Sequence, residues 1–197
     1  MMTSAVLLIF LQLCSLQMML VAKPLCKLRE HSVLAAHKML HDMGERFPSH
    51  CRPYNANISF PDSLILAKNT RSKCRQVLWV VHSSLMEIGS MYAEHDLPEG
   101  EGGLNWDENK VDRFFQVVDG LVGNGTCFPN MNSPALSAYF SNVTAAIEQQ
   151  DSAACGWQLM RRDLLWILKS ALQQHQTCFN AARHSHLCAD EQYLSRH

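Results

Sequence analysis

The sequence predicts an all-α bundle of five helices with a long overhand connection after the first, and three observations carry that prediction. Apolar residues recur at spacings of three and four in five separate stretches, so each can bury one face of a helix. None alternates in the manner of a strand. The segment 48–71, PSHCRPYNANISFPDSLILAKNTR, holds three prolines, polar clusters and one short apolar run, 64–67, which makes it a long connection rather than a tight turn.

Residues 32–47 read as the first helix, with Ser32 as its cap and Pro48 marking its end. His37 and His41 stand one turn apart on it, a spacing able to hold zinc, but no glutamate follows the first histidine and no third ligand is evident, so they read as structural or surface residues. In the long connection Cys51 offers a pin. The second helix, 72–92, places Cys74, Val77, Leu78, Val81, Leu85, Ile88 and Tyr92 on one stripe, where Cys74 is most simply a buried free thiol. A glycine-rich break precedes the third helix, within 105–125: Asn105 can cap it, Asp107 and Glu108 suit its positive first turn, and Gly123 and Gly125 end it before Cys127. Its core face is Phe114, Phe115, Val118, Leu121 and Val122. Ser133 and Pro134 open the fourth helix, whose stripe is Leu136, Tyr139, Phe140, Val143 and Ile147.

Cys155 heads the fifth helix, which has two distinct faces. With Trp157 at zero and about 100° per residue, Met160, Leu164, Ile167, Leu168, Ala171 and His175 fall on one side, and Arg162, Trp166, Lys169 and Gln173 on the other. A large aromatic between two cations has the composition of an interface hot spot; equally, Trp166 can lie under a neighbouring loop or helix. After Cys178 the periodicity fades into a polar tail. Metal binding there by His184, His186 and Cys188 is conceivable; a tail tied by a Cys178–Cys188 bridge is the simpler reading.

Residues 1–22 are nearly uncharged and apolar, end on small residues before Lys23, and read as a secretory signal peptide cleaved after Ala22 rather than a membrane anchor. The expected organisation is therefore a leader, 1–22, a helical domain, 23–178, and a polar tail, 179–197, in a secreted, extracellular protein. With Cys14 in the leader, seven cysteines remain: Cys26, Cys51, Cys74, Cys127, Cys155, Cys178 and Cys188. Most should pair in an oxidising compartment, and the odd one is free or joins two chains. Sequons at Asn57, Asn124 and Asn142 agree with passage through the secretory pathway, and Asn142 sits about 120° from the centre of its helix's apolar stripe. A net charge of -1 argues against nucleic-acid or membrane-surface partners bound through bulk charge. No Gly-x-Ser-x-Gly setting, phosphate-cradling glycine loop or spaced carboxylate pair is identifiable, so no enzyme, cofactor or metal is expected.

The pattern Tyr139-Phe140, Asn142-Val143, Ile147, then Cys155-Gly156-Trp157 resembles the signature of the type I interferon family. A second match agrees with it: Trp106-Asp107-Glu108, then Asp112-Arg113-Phe114-Phe115, then Cys127 is similar to the family's third helix at matching spacing. The chain looks most like the four-cysteine interferons of bony fish, and the resemblance covers most of the mature chain. It implies a helical cytokine bundle with bridges Cys26–Cys127 and Cys51–Cys155; four cysteines alone allow three pairings, so this one comes from the resemblance. It further implies a receptor face made by the long loop and the fifth helix, at Arg161, Arg162, Leu165, Trp166 and Lys169, with Arg52 near the family's loop hot spot, while the second, third and fourth helices meet another receptor chain. Three departures stand out. Trp166 replaces a family arginine, Ala146 a larger residue, and Gly156 the usual alanine or threonine, at a cost of up to about 1 kcal/mol relative to alanine in a helix.

The function implied is a secreted antiviral cytokine, a monomer unless the odd cysteine joins two chains, that brings together the two chains of a heterodimeric class II cytokine receptor and triggers JAK-STAT signalling. Two alternatives remain: another helical cytokine with different receptors, and a disulfide-stapled carrier of an apolar ligand, whose mark would be an apolar cavity inside the bundle.

Overall fold

A computed structural model describes residues 28–66, 71–100, 102–123, 128 and 131–181. The leader, Cys26, Asn124, Cys127 and the tail from 182 onward, with His184, His186 and Cys188, lie outside the described residues; so does the Cys26–Cys127 bridge. The described chain is all-helical and without strands: α1 (Glu30–Asp42), α2 (Arg71–Glu94), α3 (Glu108–Val122), α4 (Pro134–Glu148), α5 (Ala153–Gln174) and a short α6 (Gln176–Ala181), with 3-10 turns at Ser49–Cys51 and Asp62–Leu64. The sixth helix was not anticipated. It runs across the expected domain boundary at 178, and buries Phe179 beyond it.

Helix α5 is the axis, packing against α1, α2, α4 and α6. Its apolar side lies in the core, with Trp157, Leu168 and Ala171 fully covered and Met160, Leu164, Ile167 and His175 nearly so. Leu159, on the opposite side from Trp157, is also buried, because α5 has neighbours on more than one flank.

Helix α1 begins two residues before Ser32 and ends at Asp42, five residues short of its expected end. Tertiary contacts stop it. The indole of Trp106 lies on Gly44, where a Cβ would stand 2.5 Å from the ring, and Asp107 N–H donates to the Met43 carbonyl at 2.9 Å. The same turn receives the guanidinium of Arg161, and the chain then leaves as the long connection.

That connection is held at three points. Cys51 is bridged to Cys155, the pairing the resemblance implied; Asn55 Nδ2 donates to the Cys155 carbonyl at 3.1 Å; and His175 Nε2 donates to the Ile65 carbonyl at 2.9 Å. Cys74 is not a free thiol: it is bridged to Cys178, which fastens α6 to the start of α2 and replaces the expected Cys178–Cys188 pairing. A half-cystine on a buried helical face looks the same in sequence as a buried thiol, since both are apolar and small.

Helix α3 is capped by Asp107, whose carboxylate accepts from Lys110 N–H at 3.1 Å, rather than by Asn105. Helix α4 starts as expected: Ser133 Oγ accepts from Leu136 N–H at 3.2 Å, and Pro134 opens the first turn. Between α4 and α5, Ser152 Oγ donates to the Ala146 carbonyl at 2.8 Å, closing a tight corner. Here the expected penalty at Gly156 changes sign. A Cβ on Gly156 would lie 2.8 Å from Ile147 Cγ1 and 2.9 Å from its backbone nitrogen, so the α4–α5 approach excludes any larger residue.

Two outcomes follow from this packing. Gly156→Ala, which propensity alone would make stabilising, lowers stability by about 1–3 kcal/mol in chemical denaturation because the two helices must part. Arg161→Met lowers it by about 1–3 kcal/mol, since it leaves the buried Leu40 carbonyl and the part-buried carbonyls of His41, Gly44 and Glu45 without their donor; a variant melting with the wild type would remove Arg161 from this role.

Candidate functional site: the outer face of α5

Of the residues the resemblance assigns to a receptor, the structure separates one from the rest. Arg161 is 5% exposed, and its guanidinium donates to the carbonyls of Leu40 (2.8 Å), His41 (2.8 Å), Gly44 (2.6 Å) and Glu45. It caps the end of α1 and is not available to a partner. Burial pulls its pKa down, yet an arginine starts so high that it stays charged. The helical wheel already held this result: Arg161 falls about 40° from Trp157, within the apolar stripe.

Arg162, one position on, is turned about 100° away and has a different fate. Its Nε donates to Asp163 Oδ1 at 2.7 Å, and its guanidinium carbon lies 4.8 Å above the Phe47 ring, while 44% of the side chain stays exposed. Asp163 is buried, and its other oxygen accepts the hydroxyl of Tyr139 at 2.9 Å. Burial, then the Asp163 charge and that hydrogen bond, hold the Tyr139 pKa well above the usual tyrosine range. The two readings of Trp166 turn out to be compatible. Its ring, partly buried, is 5.8 Å from Phe60 of the long connection, and Phe60 in turn meets Tyr139 edge-on at 5.3 Å. The loop therefore covers one side of the indole and leaves the rest at the surface.

Leu165 is partly buried beside Trp166, and Lys169 is exposed. Arg52 is exposed and sits next to the Cys51–Cys155 bridge, at the start of α5; Tyr54 in the same loop is 51% exposed. The helical rise places Cys155, Arg162 and Lys169 at intervals of about 10 Å, so the face runs some two turns to either side of Arg162. At its α1 edge burial, then His41, then Lys169 push the His37 pKa down. Asp163, Phe47 and Phe60 were not singled out from sequence; only the aromatic character of the two loop residues signalled that they needed cover.

A second surface lies between α2 and α4. A groove of about 340 Å³ there is lined by Trp79, His82, Met86, Phe128, Leu136 and Phe140, and one of about 360 Å³ adjoins it at Glu87 and Phe140. Both are surface clefts rather than chambers within the bundle. As for metals, His50, Cys51 and Cys155 place potential donor atoms within 4.8 Å of one another, but the two sulfurs are joined in the bridge and offer no thiolate. His37 and His41 belong to no group of three close donors among the described residues.

No protein-family model matches the chain. It is 21% identical over 136 residues to interferon type A1/A2 of chicken, an alignment covering 63% of this chain and just under two thirds, 66%, of that protein. In fold it is similar to zebrafish interferon 2, with a TM-score of 0.59 and 26% identity over 74% of this chain and 97% of that one. Together with the helical fold and the Cys51–Cys155 bridge, these likenesses support a type I interferon of the fish kind.

Proposed function

We propose that this interferon-type cytokine is secreted, binds two class II cytokine receptor chains at once, and triggers JAK-STAT signalling and an antiviral state. The single observation that carries the proposal is the row Arg162, Trp166 and Lys169. It is the outward side of a helix otherwise committed to the core, and its first two members are held by Asp163, Phe47 and Phe60. Held aromatic and arginine side chains make strong interface anchors, because little rotamer freedom is left to lose on binding. Leu165 and, across the bridge, Arg52 extend this face for the high-affinity chain. The other chain would meet α2, α3 and α4, where the groove beside Trp79 and Phe140 offers an apolar seat.

Secretion is proposed from the apolar leader, and glycosylation from the sequons: Asn57 and Asn142 are exposed, while Asn124 lies outside the described residues. No helix among the described residues is long and apolar enough to cross a membrane. Neither partner nor mechanism calls for a catalytic group.

The test is addition of the disulfide-bonded protein to cells of the source species, with STAT phosphorylation as the readout. Wild type should respond within the hour. Lys169→Ala, an exposed change, should leave stability within about 0.5 kcal/mol while lowering potency. Trp166→Ala should lower receptor affinity by about 2 kcal/mol or more, with a smaller loss of stability from its contact with Phe60. Silence from folded wild type on cells that answer another interferon would sink the proposal.

A further inference from the structure

We infer that Tyr139 and Asp163 are positioning residues for Arg162: buried in the protein, they fix the angle at which one exposed guanidinium meets the receptor. This rests on the receptor reading of the α5 face and deepens it. The geometry forms one chain of contacts. Tyr139, on α4, donates to Asp163 Oδ2 at 2.9 Å; Asp163 Oδ1 accepts Arg162 Nε at 2.7 Å; and the Phe47 ring supports the guanidinium from the loop at 4.8 Å.

Three features make this more than a surface ion pair. First, Asp163 is 7% exposed, so the anion that holds Arg162 is not competing with water on its own account, whereas pairs between two exposed charges are worth little. Second, the planar guanidinium is held from two directions, by a carboxylate at Nε and by the Phe47 ring over which its carbon lies, which narrows its orientations. Third, only Nε is used. Nη1 and Nη2 have no hydrogen-bond acceptor among the described residues, and with 44% of the side chain exposed they form a two-pronged donor suited to a carboxylate on the partner. Tyr139 takes part without reaching the surface: it is 4% exposed, and its hydroxyl occupies the Asp163 oxygen that would otherwise swing toward Arg162 or water. Phe60, which touches both Tyr139 and Trp166, ties the arginine's support to the neighbouring aromatic anchor.

The experiment is a double-mutant cycle on the full, disulfide-bonded chain. It is read as dissociation from the immobilised ectodomain of the high-affinity receptor chain of the source species, beside the Arg Nε–H signal of Arg162 in ¹H–¹⁵N spectra. Tyr139→Phe should weaken binding by about tenfold, mainly through faster dissociation, and in an Arg162→Ala background the same change should cost less than about twofold. Asp163→Asn, which keeps the shape and removes the charge, should show the same dependence on Arg162, so the inference does not hang on one variant's folding. In the spectra, the Arg162 Nε–H should exchange slowly in wild type and lose that protection in Tyr139→Phe. An equal loss of affinity with and without Arg162 would reduce Tyr139 to a core residue and overturn the inference, as would an unchanged Nε–H signal. Absence of any binding by wild type would instead count against the receptor reading, while the Nε–H signal would still decide whether Tyr139 and Asp163 hold the arginine.

Discussion

The buried guanidinium of Arg161 is the interaction on which the rest of the structure depends, because it alone satisfies four of the main-chain carbonyls at and just after the end of α1. The backbone count at the end of α1 is complete. The Met39 carbonyl accepts Met43 N–H; those of Leu40 and His41 accept Arg161; that of Asp42 accepts Lys110 Nζ; that of Met43 accepts Asp107 N–H; and those of Gly44 and Glu45 again accept Arg161. A helix leaves its last carbonyls unpaired, and such groups are costly when buried. A cation placed there also meets the negative end of the helix dipole. Burying a charge has its own cost, which is offset here because the guanidinium spends its donors on several acceptors in one plane. A hydrophobic replacement would spare the charge and abandon the carbonyls.

Around that join the fold is fastened at both ends of α5. The Cys51–Cys155 bridge and Asn55 hold the long connection at its start, and beyond its end Cys178 is bridged to Cys74 while His175 reaches Ile65. Each bridge joins residues 104 apart in sequence. In the chain-entropy model a loop of that size is worth about 4–5 kcal/mol for a single bridge; two overlapping loops share part of the same lost freedom and do not simply add. The functional consequence is rigidity where a partner would bind. The loop cannot drift from α5, so Phe60 stays against Trp166 and Phe47 stays under Arg162.

How much of this could be read from the sequence varies with the kind of force. Stripes such as Val77, Val81, Leu85 and Ile88, or Leu136, Tyr139, Phe140 and Val143, were legible because burial repeats with the helix period, and Ser133-Pro134 was legible because a cap is local chemistry. The end of α1 was not legible: Trp106 and Arg161 impose it from more than sixty residues away in the chain. The Cys74–Cys178 pairing was hidden for the same reason. The need for glycine at 156 was not legible, because propensity describes an isolated helix, whereas here a Cβ would come within 2.9 Å of the Ile147 backbone. Arg161 is a different case. Its angle on the wheel placed it inside, but an arginine in an apolar stripe and a family position on a receptor face both argued for the surface.

The two adjacent arginines show how one helix can serve the core and hold a cation at the surface without a compromise between them. One step along an α-helix turns a side chain by about 100°, enough to carry it from the interior to the edge of the surface. Arg161 gives Nε and both terminal nitrogens to main-chain carbonyls and is too deeply buried to reach a partner. Arg162 gives only Nε, to a buried carboxylate, and keeps its terminal nitrogens. On the proposed reading, stability and recognition fall to different residues of the same type. Recognition would then borrow from the core, since Asp163 and Tyr139, which hold Arg162, come from the two helices that meet closely at Gly156. The α5 face is thus built from the inside outward.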